Sequence, residues 1–261
     1  MKIYPASFNR ASNGAISKLV ERLREEKMWT NSRLDADYIL AVGDRTETFD
    51  FVLEEFRKGK PIIHLWAGEI SQGTEDEVYR HAMTNMSELQ LCTNIQAEQC
   101  VKDFCEAIGK KSNTYVIGNV MFDNLEIDET ESIEKPYNVI LYNPPTLCTR
   151  QEVAEEVNWI DNITQHNPRV WITPNGDKHS DIILPFTNSD NLPRPKFLGL
   201  LKNCKRFITN SSCAYYEAPF VMKKVNITMV GERNRDRNST ENMDIPNATE
   251  NIIKILKEKL K

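Results

Sequence analysis

The alternation of short apolar runs with longer segments of helical spacing constrains this chain more than any other feature. Tyr38-Ile39-Leu40-Ala41-Val42 is almost continuous in apolar residues and stops at Gly43. A strand with one wet face alternates apolar with polar residues. A continuous run fits a strand covered on both faces, as in the parallel sheet of an α/β protein. Similar runs predict strands at Ile3–Phe8, Pro61–Leu65, Leu89–Cys92, Thr114–Ile117, Val139–Tyr142, Arg169–Thr173, Arg206–Thr209 and Lys224–Thr228. Helices are expected over Ala15–Glu26, with apolar residues at Ile16, Leu19, Val20 and Leu23, and over Thr48–Lys58, Asp76–Met86, Ile95–Ile108, Glu152–Ile163, Phe197–Cys204 and Asn247–Leu260. A further helix is expected to start at Ser211.

The pattern pauses once. Residues 124–136 are acidic and end in Glu134-Lys135-Pro136, the composition of a linker. Two doubly wound, Rossmann-like α/β domains with a cleft between them follow from this. The expected division is an N-terminal domain over 1–123, the linker, a C-terminal domain over 137–246, and a helix over 247–261 packing back across the junction.

Composition narrows the function classes. Of 261 residues, 40% are hydrophobic and 27% charged, as in an ordinary globular chain. Lys plus Arg number 33 against 38 Asp plus Glu, a net charge of -5. That balance lacks the basic field of a nonspecific nucleic-acid binder, so no nucleic-acid partner is expected. No apolar stretch is long enough to span a bilayer, so no membrane partner is expected either. The opening residues do not resemble an export signal, and the 6 cysteines form no CxxC pair. Reduced thiols in the cytoplasm fit this best. His64 and His81 have no ligands at metal-binding spacing, so no metal or cofactor is expected.

Ligands of open α/β sheets sit beyond the C-terminal strand ends. Reading those ends off the sequence gives Arg10, Gly43-Asp44-Arg45, the segment His64 to Glu69, Asn143 to Thr146, Asn175-Gly176-Asp177 and Asn210-Ser211-Ser212. Neither GxGxxG nor a P-loop is present. Ser211 and Ser212, after a strand and before a helix, suit a diphosphate through free N–H groups, or simply cap the helix. Glu217 could accept ribose hydroxyls or be a solvated carboxylate. Arg233, Arg235 and Arg237 could clamp an anion or form a charged loop.

Together these motifs resemble the UDP-N-acetylglucosamine 2-epimerase family, especially its hydrolysing, sialic-acid-pathway branch. Asn9-Arg10-Ala11 resembles the family's opening nucleotide turn, and Gly43-Asp44-Arg45 its GDR strand end. His64-Leu65-Trp66-Ala67-Gly68-Glu69-Ile70-Ser71 resembles its HxEGGE(V/I)S segment, and Asp76 to Thr84 its DDxxRHAIT helix. In the second half, Asn143-Pro144-Pro145-Thr146 resembles its HPxT turn and Pro174-Asn175-Gly176-Asp177 its PNxDxG loop. Asn210-Ser211-Ser212-Cys213 with Glu217 resembles its NSSxGxxE start. The stretch from Gly231 to Asn238 resembles its GxRQxGR segment.

The chain also departs from that pattern. Trp66 stands where the family has a catalytic glutamate, Asn143 replaces its histidine, Ala214 a glycine and Asn85 a lysine. A piece of the first domain between the first helix and the strand at Tyr38 is missing.

The resemblance implies a GT-B-like fold, a UDP-sugar substrate and a homodimer. It also implies release of UDP from C1 with removal of the C2 proton, then attack of water. By the same resemblance Asp44, Glu69, Asp76 and Arg80 are the catalytic set. Arg10, Asn143, Asp177, Ser211, Ser212, Glu217 and Arg233 are then the nucleotide-sugar set. Trp66 cannot move a proton and Asn143 cannot act as an acid. A nucleotide-sugar-dependent glycosyltransferase and a binding protein without turnover therefore stay open beside the epimerase.

Overall fold

The computed structural model describes residues 1–8, 10–123, 125–130, 133–234, 236–237 and 245–260, with the side chains of residues 10 and 11 excepted. Asn9, Asn124, Arg235 and Asn238, and the side chains of Arg10 and Ala11, lie outside this set. The chain divides into two compact units. Unit 1 holds Met1–Ile70, Asp76–Asn124 and Arg237–Lys261, and unit 2 holds Ser71–Glu75 and Leu125–Asp236. The chain therefore leaves unit 1 twice, once for only five residues.

Unit 1 runs β1 (Ile3–Ala6), α1 (Arg10–Ala15), α2 (Ser17–Glu25), β2 (Tyr38–Val42), α3 (Thr46–Arg57), β3 (Ile62–Leu65), α4 (Asp76–Met86), β4 (Leu89–Cys92), α5 (Ile95–Ala107) and β5 (Thr114–Val116). Its five strands are all parallel and ordered β1-β2-β3-β4-β5. Alternate residues feed opposite faces. Leu40, Val42, Ile63, Leu65, Leu89 and Leu91 pack with Leu19 and Leu23 of α2 on one face. Ile39, Ala41 and Ile62 pack with Val52 of α3 and Met83 of α4 on the other, and Cys92 packs with Ala97, Val101 and Cys105 of α5.

The strand order steps one way across the sheet, yet α2 lies on the opposite face from α3, α4 and α5. The β1–β2 connection is therefore opposite in hand to the other three. Right-handed crossovers make up about 98% of such connections, which marks β1–α2–β2 as the exception. The chain passes from α2 to β2 in the stretch where the family resemblance leads one to expect a further piece of the first domain.

β1 lies at the edge of the sheet, where unpaired N–H and C=O groups invite association. The chain covers that edge locally: Ile3 N–H donates to Met28 O (2.6 Å) and Thr30 N–H to Ile3 O (3.0 Å). Pro5, next on the outward side of the strand, has no N–H to offer.

Unit 2 contains β6 (Asn138–Leu141), α6 (Arg150–Thr164), β7 (Arg169–Trp171), α7 (Arg194–Asn203), β8 (Arg206–Thr209), α8 (Cys213–Tyr216), α9 (Ala218–Val221) and β9 (Ile227–Met229), all strands parallel in the order β7-β6-β8-β9. Val153, Val157 and Ile160 of α6 cover one face with Ile140, Trp171 and Ile208. Leu200, Leu201, Cys213, Ala214 and Ala218 of α7, α8 and α9 cover the other with Val139 and Phe207. A capping box between Thr149 and Glu152 starts α6 two residues before the expected Glu152. Pro195 near the start of α7 moves that helix ahead of Phe197.

The last helix, α10 (Ala248–Lys259), belongs to unit 1, where Ala248, Ile252, Ile253 and Leu256 join the α2 face of the sheet. Its apolar stripe is complementary to that of α2, and Arg22 of α2 pairs with Glu250 (2.6 Å).

Candidate functional site

In unit 1, adjacent strands β1 and β2 send their following helices to opposite faces, and the crevice that opens at such a divergence is the usual ligand position. β2 ends in Gly43, whose φ of +80° is left-handed backbone open to glycine at no cost. The turn delivers Asp44 before α3. Arg45, not Asp44, is the N-cap residue of α3, and no side chain makes a cap bond there.

The Asp44 carboxylate instead accepts from Arg80 Nη2. Arg80 is buried on α4 and donates from Nη1 to the Glu69 carbonyl (2.8 Å) and to Glu77 Oε2 (2.6 Å). Burial alone would raise the Asp44 carboxyl. The Arg80 guanidinium, with Arg237 adding, instead holds it below the usual carboxylate range. Glu69 is buried, receiving Thr93 Oγ1 (3.1 Å) on one oxygen and facing Arg237 Nη1 (3.4 Å) on the other. Gly68 brings Glu69 against α5, with a φ of +77° and no room for a Cβ, which would meet Ala97 O at 2.0 Å.

Around this cluster stand two residues that the sequence reading left unassigned. His64 is fully buried between Thr84 Oγ1 (3.0 Å) and the Gly43 carbonyl (3.4 Å). Burial pushes its pKa down to about 4, partly countered by the Gly43 contact, so it is neutral at pH 7. Glu77 sits between Arg80 and His81 Nε2, the latter at 3.0 Å. Asp76 opens α4 one residue ahead of Glu77.

Trp66, at the end of β3, has a φ of +69°, unusual for a side chain of this size. Its indole N–H is buried without a hydrogen-bond partner among the described residues.

In unit 2 the divergence lies between β6 and β8. There Asn143 N–H donates to Asn210 Oδ1 (2.8 Å) while Asn210 Nδ2 donates to the Asn143 carbonyl (2.6 Å). Asn143 Oδ1 accepts from Asn175 N–H (2.8 Å), so two side chains, those of Asn143 and Asn210, tie the ends of β6, β7 and β8 together. Arg233 is buried and donates to the Pro144 carbonyl (2.6 Å) and to Asp177 Oδ2 (3.2 Å). Ser211 N–H donates to Thr209 Oγ1 (2.9 Å), and the Ser212 side chain makes no cap bond.

The expected helix after Ser211 is only the four-residue α8, broken at Glu217 ahead of Pro219. Its dipole is correspondingly small. Buried Glu217 is paired with Arg194 at the start of α7. That partner lies 23 residues upstream, and no local pattern signals it.

The structure thus brings Asp44, Glu69 and Arg80 into one cluster, and Asn143, Asp177 and Arg233 into another. The arginine run divides between the units: Arg233 serves unit 2 and Arg237 unit 1. Among the described residues no group of three His, Cys, Asp or Glu side chains is placed to hold a metal ion, and no helix is long and apolar enough to cross a membrane.

The family model of UDP-N-acetylglucosamine 2-epimerase matches residues 5–261. The chain belongs to that family. It is 26% identical over 229 residues to the polysialic acid biosynthesis protein P7 of Escherichia coli, covering 80% of this chain and 58% of that one. It is 26% identical over 234 residues to the GDP/UDP-N,N'-diacetylbacillosamine 2-epimerase (hydrolyzing) of Campylobacter jejuni, covering 80% and 60%. The chain therefore spans less than two thirds of the length of these relatives. Among solved structures, the Neisseria meningitidis UDP-GlcNAc 2-epimerase bound to UDP-GlcNAc matches with a TM-score of 0.69 at 13% identity, over 99% of this chain and 100% of that one. This likeness shows the fold, two Rossmann-like α/β units of GT-B type.

Proposed function

We propose that this family member is a UDP-N-acetylhexosamine 2-epimerase of the hydrolysing type. Unit 2 holds the nucleotide at the β6 and β8 ends, with Ser211 and Ser212 near the diphosphate and Glu217 on the ribose. Unit 1 supplies the proton chemistry. The observation that carries the reading is the pair of carboxylates at the β2 and β3 ends, each with a fixed cationic partner: Asp44 on Arg80 and Glu69 on Arg237. Carboxylates fixed in place and ionised at neutral pH are available to accept a proton, and the cations beside them favour the charge that develops as a diphosphate departs.

In the first step a carboxylate takes the C2 proton and the C1–O electron pair leaves with UDP, giving a glycal. Water then adds its hydroxyl to C1 and a proton returns to C2 on the other face, giving N-acetylmannosamine. The names of the Campylobacter and Escherichia relatives support the hydrolysing type and a role in cell-surface sugar supply. The six free thiols suit a reducing compartment such as the cytoplasm.

Proton NMR of the protein with UDP-N-acetylglucosamine in heavy water tests this. Free UDP and N-acetylmannosamine deuterated at C2 are expected. Binding of UDP with no exchange at C2 would replace the epimerase by a nucleotide-sugar-binding protein. Asn143 favours that second reading, since its amide is engaged with Asn175 and cannot titrate.

A further inference from the structure

The five-residue excursion Ser71–Glu75 is polar in sequence, and such loops run over protein surfaces. This one is largely buried: Ser71 is 3% and Thr74 5% exposed. Gly73 lies so close to the β9–α10 connection that a Cβ would meet Glu232 O at 1.8 Å and Arg233 Cα at 2.5 Å. Glu75 N–H donates to Thr146 Oγ1 (3.1 Å). The loop thus rests on both parts of the unit 2 site, the backbone that carries Arg233 and the turn after Asn143.

Its two exits into unit 1 are held by a single guanidinium. Arg80 donates to the Glu69 carbonyl before the excursion and to the Glu77 carboxylate after it, and the same side chain holds Asp44. Displacement of the loop has to pass through the backbone of Glu69 or the first turn of α4, and both are bonded to Arg80.

We infer that Ser71–Glu75 is a positioning strap, which passes occupancy of the unit 2 strand ends along the chain to Arg80 and so to Asp44. Gly73 and Thr146 are its positioning residues; neither touches the reacting atoms. The inference rests on the nucleotide-binding reading of unit 2 given above.

Hydrogen–deuterium exchange with and without saturating UDP tests it, with calorimetry and a thermal melt on each protein. In the wild type, UDP should slow amide exchange both in Asn210–Ser212 at the end of β8 and in Asp76–Arg80, by about tenfold or more. In Gly73→Ala the end of β8 should stay protected, while the effect on Asp76–Arg80 falls below about twofold. Thr146→Val, which keeps the side-chain volume and removes only the acceptor for Glu75, should lose part of the same effect. It carries the test if the glycine variant fails to fold. Equal protection of Asp76–Arg80 in the wild type and in the variants, or none in the wild type despite UDP binding, overturns the strap alone. Absence of any UDP binding by the wild type overturns the nucleotide reading and the strap together.

Discussion

Replacing Arg80 by methionine should unfold unit 1 in a pH-dependent way. The Arg80 side chain is 4% exposed, against 27% for Asp44 and 17% for Glu77. Methionine fills much of the volume but leaves two carboxylates without their cation. Removing one partner of a buried pair costs about 3–5 kcal/mol. Partial exposure of both acids lets water replace some of the lost attraction, so the lower end, about 3 kcal/mol, applies. For a chain of this size that corresponds to about 6–12 °C in Tm.

The pH dependence supplies the discriminating sign. In the wild type Asp44 has a depressed folded pKa, so its contribution is present above the unfolded value of about 3.9 and fades as pH falls through the folded one. In the variant, burial without Arg80 raises the folded pKa instead, and the penalty disappears once Asp44 is protonated. The gap between wild type and variant should therefore narrow from pH 7 to about pH 4.5. Asp44→Asn in the Arg80→Met background should recover a good part of the loss at pH 7. Thermal unfolding by circular dichroism at several pH values reads both effects. A Tm within about 2 °C of wild type at pH 7, or a gap that does not change with pH, would refute the electrostatic account of Asp44.

Glu217→Gln should weaken UDP binding about tenfold, because charge-assisted hydrogen bonds are worth about 1.5–3 kcal/mol; unchanged affinity in calorimetry removes Glu217 from the nucleotide site. Glu69→Gln and Asp44→Asn should each slow C2 deuterium exchange at least about a hundredfold with UDP affinity within a few-fold, as loss of a general base does. Trp66→Phe should leave Tm unchanged or slightly higher, because it removes a buried N–H that has no partner among the described residues; a fall of several degrees would mean that the indole is bonded in solution.

Much of the layout was legible in the residues. Tyr38–Val42, Asp76–Met86, Leu89–Cys92 and Arg206–Thr209 have the bounds that apolar periodicity predicts, because in each the spacing of apolar residues alone marks where burial starts and stops. Elements whose form depends on distant partners were not. The stretch at Lys224 begins as a single helical turn before β9, and the helix after Ser211 stops after four residues. The candidate strand ends could be named from the rule about strand termini, which depends only on element order. The side chains that hold them could not. Arg80 finds Asp44 across 36 residues and Arg194 finds Glu217 across 23, and no spacing rule connects such pairs. The hand of the first crossover was likewise invisible, since periodicity reports that a helix exists and not which face it covers.

The placement of α10 sets an order of events during synthesis. The face of unit 1 lined by Leu19, Leu40, Ile63 and Leu89 is finished only when Ala248, Ile252, Ile253 and Leu256 arrive. Between the last strand of that sheet, ending at Val116, and the end of the helix at Lys259, the ribosome must add roughly 140 residues. At about 5–20 residues per second this takes roughly 7 to 30 s, far longer than the collapse of a chain this short, which needs at most about 100 μs. For that interval the part of this face that α2 does not cover stays bare, while the whole of Leu125–Asp236 is made and able to fold. A trigger-type chaperone that shields apolar surface at the exit tunnel should therefore matter most for the first unit made and the last completed.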